Sequence, residues 1–175
     1  MANEHLATYL NDHLAGSVVA IELIESLESS HEGTPVATFV RQLRADIEAD
    51  QKELQGLITS LEISESRTRQ ASAWLTEKLT SLKLRFDDSE DGNLRLFESL
   101  EALSLGIEGK QSLWRALSAV AEASPELRIL DYDLLQKRAQ EQRDRVESKR
   151  IEVARKILPV GRKSETESSQ SASGT

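Results

Sequence analysis

The 175-residue sequence predicts an all-α fold: an antiparallel four-helix bundle with one additional helix in its middle connection. Three observations lead there. Aromatics are only 4% of the chain, so the aromatic and β-branched runs of strand-rich domains are missing. Ala, Leu, Glu, Gln, Lys and Arg abound, and all are good helix formers. Apolar residues also recur every three to four positions over long stretches, the spacing of one helix face.

Composition bounds the chemistry. There is no cysteine, which excludes disulfides, thiolate catalysis and cysteine-based metal centres. No apolar run approaches the roughly 20 residues that span a bilayer, and Met1 to Leu10 lacks the pattern of a signal peptide. The expected location is therefore the cytoplasm, with no membrane partner. A net charge of −8 argues against nucleic acid as a partner, because phosphate binding needs concentrated positive charge. Lys137 to Lys156 is a local exception, with eight Lys/Arg against four Asp/Glu. It reads as a solvated helix face with ion pairs such as Glu141–Arg145 and Glu152–Lys156.

The first helix is expected from Asn3 to Ser29, with Leu6, Leu10, His13, Ser17, Ile21, Ile24 and Leu27 on one face. It ends at Gly33, a left-handed cap, while Thr34 caps the second helix and Pro35 takes the first helical position. The second helix runs to about Leu61 and buries Phe39, Leu43, Ile47, Leu54, Ile58 and Leu61. Ser64-Glu65-Ser66 offers a new cap for a third helix over Ser66 to Leu84, stopped by the acidic turn Asp87 to Gly92. The fourth, Asn93 to Ala121, is the most apolar. Leu96, Leu100, Leu103, Ile107, Trp114 and Leu117 form its stripe, and Leu94, Phe97, Leu105 and Leu113 widen it to two buried sides. The last helix is expected from Pro125 to Ile157, ended by Pro159 and Gly161. Residues 1–160 thus make one bundle domain, and the Ser/Thr/Glu-rich 161–175 is a disordered tail.

Short links make antiparallel hairpins of the first and second helices and of the fourth and last. The roughly 30 residues between these hairpins can travel the bundle's length, which predicts the crossover connection of ferritin-like bundles.

Several polar residues fall on or beside the apolar stripes: His13, Asp50, Glu101, Glu108, Arg138 and Gln142. Counting from helix midpoints puts His13, Asp50, Glu108 and Arg138/Gln142 at one level. A ferritin-like protein holds its metals at such a level, with Glu on two helices and Glu-x-x-His on the others. Here the second helix offers Glu48-Ala49-Asp50-Gln51, and no histidine follows His31. A symmetric di-iron centre cannot form. What is left is an ion-paired layer with His13 and Arg138 facing Asp50 and Glu108, a degenerate transition-metal site, or another ligand site.

The acidic turn is a second candidate. Read from Asp87, it places Asp87, Ser89 and Asp91 at loop positions one, three and five, Asn93 at seven and Glu98 at twelve. These are the oxygen-ligand positions of a calcium-binding EF-hand loop, with Gly92 at the sharp turn. A capped Asp/Gly turn is the plainer reading. Gly106 and Gly109 flank Glu108 in mid-helix, where each costs about 1 kcal/mol relative to alanine. Close packing against Trp74 or the first helix near Gly16 is the expected compensation, and a ligand-facing gap the alternative. No nucleophile motif, P-loop or dinucleotide-binding glycine pattern is present.

Tyr9 to Gly16, Glu48 to Gln51, and Leu100 to Lys110 through Trp114 resemble a group of uncharacterised bacterial helical-bundle proteins, themselves similar to the ferritin-like superfamily. The resemblance covers residues 6–158 and implies a ferritin-like fold without an activity to carry over. The functional expectation is a non-enzymatic bundle that binds a copy of itself, another protein or a small ligand. The alternative is a metal protein with an incomplete ferritin-like site or a calcium loop at 87–98.

Overall fold

A computed structural model describes residues 4–63 and 92–159, which form four long helices and one short 3₁₀ turn. These are α1 (Glu4–Ser30), α2 (Pro35–Ser60), α3 (Gly92–Ala121) and α4 (Tyr132–Ile157). At 1.5 Å per residue each is about 40 Å long. The expected extra helix and the expected disordered tail lie outside the described residues.

Local chemistry sets the first hairpin as the sequence suggests. Gly33 adopts φ 76°, and the Thr34 hydroxyl accepts from the Ala37 amide, 3.4 Å away, with Pro35 opening α2. At the other end of α2, Glu62 takes φ 54°, and the Ile63 amide donates to the Ile58 carbonyl. This is a Schellman-type stop built without glycine.

The second hairpin departs from expectation. The last helix begins at Tyr132, not Pro125. Pro125–Leu127 forms only a 3₁₀ turn, with Leu127 buried. Competing side-chain bonds hold the break: Arg128 Nε donates to the Ala121 carbonyl at 2.8 Å, and the Tyr132 hydroxyl to Leu127 O at 2.7 Å. Asp131 then caps α4 through the Leu134 amide.

Cross-helix pairs fix the directions. Arg41 meets Glu28 and Gln51 meets Ser17, so α1 and α2 are antiparallel. Arg150 reaches Glu101 while Gln111 reaches Gln140, so α3 and α4 are antiparallel. Asp46 pairs with Arg145 and Asp50 with Arg138, so α2 is antiparallel to α4 as well. It follows that α2 and α3 run parallel. The last turn of α2 and the first turn of α3 lie at opposite ends of the bundle.

The core follows the leucine and isoleucine stripes. Leu10, Ile24, Leu43, Leu57, Leu100, Leu113, Trp114 and Leu117 are among the fully buried side chains. On α1 the buried face is broader than one stripe: Asn11, Leu14, Ala15 and Leu23 join it, while Leu6 and Ile21 are only partly covered. The widening of the α3 stripe holds in part: Leu113 is buried and Phe97 packs partly buried against the core, whereas Leu94 and Leu105 are exposed, Leu105 at 67%.

Candidate functional site: a glycine-lined cleft above a buried ion cluster

Near mid-bundle, α2 carries Asp50 on its buried face, between Ile47 and Leu54. An isolated carboxylate there would lose its hydration without return. Three side chains surround it instead. Lys110 of α3 places Nζ 2.6 Å from Oδ2, and Gln142 Nε2 of α4 donates to the same oxygen at 2.9 Å. Arg138 of α4 brings Nη2 within 2.7 Å of Oδ1, a charge contact rather than an aligned hydrogen bond. Lys110 also donates to Gln142 Oε1, which closes a ring of three helices. Burial pushes the Lys110 ammonium below its ordinary pKa, and the neighbouring Asp50 opposes that shift.

Above this cluster, between α1, α2 and α3, lies a cleft of about 340 Å³. His13, Gly16 and Ala20 line it from α1, Ile47 and Leu54 from α2, and Gly106, Gly109, Lys110 and Trp114 from α3. Gly106 is exposed, so the cleft opens to solvent along α3. None of Gly16, Gly106 or Gly109 has an atom within 4 Å of the place where a Cβ would stand. The first helix does not pack against them as expected, and Trp74, the other expected neighbour, lies outside the described residues. Among the described residues they border open space.

The inferred polar layer forms in part. Asp50, Arg138 and Gln142 come together, and His13 lines the adjoining cleft with its ring edge-on to Tyr9 at 4.7 Å. Burial holds the His13 imidazole below the usual histidine pKa, against the pull of Asp12. Glu108 and Glu101 turn outward. Glu108 pairs with Arg143 at 2.8 Å and Arg115 at 3.6 Å, and Glu101 with Arg150 at 3.2 Å. Helix geometry explains the difference, because Glu108 sits two residues, or about 200°, away from Lys110 around α3.

Lys110 is the site residue that the sequence reading missed. Its signal was its register, three residues after Ile107 and four before Trp114, on the apolar stripe itself. The basic segment is ion-paired, but it is not solvated throughout, since Arg138 enters the Asp50 cluster and Lys149 and Arg150 are mostly covered. Lys156 meets Glu152 at 2.8 Å, whereas Arg145 pairs across the bundle with Asp46 rather than with Glu141.

The chemistry of a resident metal does not fit this cluster. Asp50 is already neutralised by two cations, and among the described residues no three His, Asp or Glu side chains gather where a metal ion could be held. Of the acidic turn, Asp87, Ser89 and Asp91 lie outside the described residues. Asn93 and Glu98 stand on α3, which already begins at Gly92. Among the described residues no helix is long and apolar enough to cross a membrane.

Compared with protein-family models, with curated proteins and with solved structures, the chain matches none.

Proposed function

We propose that this chain is a ferritin-like bundle that acts by binding rather than catalysis, and that it holds a small, mostly apolar ligand in the cleft between α1, α2 and α3. The observation that carries the reading is the glycine lining. A glycine inside a helix costs about 1 kcal/mol relative to alanine. Gly16, Gly106 and Gly109 stand within α1 and α3 and face space that, among the described residues, a methyl group would enter freely. Among the described residues neither a turn nor a close helix approach accounts for them. Keeping the cleft open does.

The cleft falls at the lower end of the roughly 300–1,000 Å³ usual for small-ligand sites, and it has the usual make-up of apolar walls with few polar groups. The parallel run of α2 and α3 supports the ferritin-like part of the proposal, because that connectivity requires it. The donor set around Asp50 favours this reading over an incomplete metal site.

The test is an amide-resolved NMR titration with octan-1-ol, a neutral apolar probe. Shifts are expected at Gly16, Gly106 and Gly109 and not at Gly56, an exposed glycine on the outer face of α2. A titration that leaves the three cleft glycines unmoved contradicts the proposal.

A further inference from the structure

The polar groups at the floor of the cleft are unequal in what they have and what they lack. Lys110 pairs with Asp50, and Arg138 spans Asp50 and Glu53, so the charges of the cluster balance. Lys110 and Gln142 occupy Oδ2 of Asp50, and Arg138 covers Oδ1 as a charge contact. A donor is left over on Lys110. An ammonium has three N–H groups, and Lys110 spends two, on Asp50 and on Gln142. The third N–H of Lys110 is left for an acceptor in the cleft.

Lys110 lines the cleft, and Trp114, four residues on along α3, belongs to the same lining. Asp12 is the remaining charged residue of the lining, and it is exposed. Solvent screens it there, and the floor sets the preference.

We infer that the ligand is an apolar monocarboxylate, its carboxylate accepting from Lys110 at the floor and its hydrocarbon body lying between the glycine-lined walls. The inference rests on the cleft being a ligand site, and it adds the chemical class. The volume suits a molecule on the order of ten non-hydrogen atoms, at the roughly 30 Å³ that a water occupies in the liquid. Octanoate has that size.

The experiment is calorimetric titration of the full chain at low salt with octanoate, octan-1-ol and octylammonium, which share one body and differ in the head. Octanoate is expected to bind about tenfold or more tighter than octan-1-ol, the usual margin of a charge-assisted hydrogen bond, and octylammonium weakest. Lys110→Met should bring octanoate down to the alcohol's affinity. Equal binding of octanoate and octan-1-ol overturns the carboxylate inference and leaves the ligand site standing, and so does tightest binding of octylammonium. Binding of none of the three overturns both. The comparison of head groups on the unaltered protein decides the matter even if Lys110→Met fails to fold.

Discussion

Lys110 Nζ and Asp50 Oδ2 lie 2.6 Å apart, and this contact joins two helices, α2 and α3, that touch little otherwise. The Asp50 side chain is 1% exposed and that of Lys110 16%. Both charges have left water, so each depends on the other. Asp50→Leu leaves Lys110 buried without its anion and should cost about 3–5 kcal/mol in urea denaturation. Asp50→Leu with Lys110→Met should recover most of that loss, since Arg138 is 28% exposed and can turn to Glu53, 4.0 Å away. A double variant as unstable as the single one contradicts the coupling.

The glycines make opposite predictions according to place. Gly106→Ala and Gly109→Ala should each raise stability by about 0.5–1 kcal/mol, because each gains helix propensity and meets no neighbour among the described residues. Gly33→Ala should lower it by about 1 kcal/mol, because φ 76° is a conformation that an alanine resists. Thermal melts of the three variants check the contrast.

His13 gives the fold a pH dependence of definite sign. Burial lowers its pKa below the ordinary value of 6.5. On acidification the unfolded chain therefore takes up the proton first, and stability falls as pH drops below about 6.5 until the folded imidazole also titrates. His13→Gln should flatten the melting temperature between about pH 7 and pH 5 relative to the unaltered protein. An unchanged slope contradicts the burial account.

Asp131 starts α4 by accepting from the Leu134 amide at 3.0 Å. Asp131→Ala should cost about 1 kcal/mol. Asp131→Ser should retain most of that, because a serine hydroxyl accepts in the same way. Urea midpoints distinguish the two.

Much of the fold was legible because helix periodicity and capping are local. Thr34-Pro35 and Gly33 set the first hairpin as their chemistry dictates, and the stripe from Leu96 to Leu117 buried as spaced. The break at residues 128–131 was not legible, because it depends on Arg128 and Tyr132 reaching back to carbonyls of the preceding turns. Asp50, Arg138 and Gln142 announced themselves as polar residues inside apolar stripes. Lys110 did so equally, but the acidic Glu108 beside it drew the reading two positions away. The glycines were visible as a cost in mid-helix. Whether that cost served a close contact or an open cleft depends on the distance between α1 and α3, which no local pattern encodes.

The central claim is that α3 gives up stability at its glycines to keep a ligand cleft open. Thermal melts of the unaltered protein and of Gly106→Leu, each with and without octanoate, test it most directly. The account predicts that Gly106→Leu melts higher than the unaltered protein without ligand and gains nothing from octanoate, while the unaltered protein is stabilised by it. An unaltered protein that octanoate fails to stabilise, or a Gly106→Leu variant that it stabilises equally, would contradict the account.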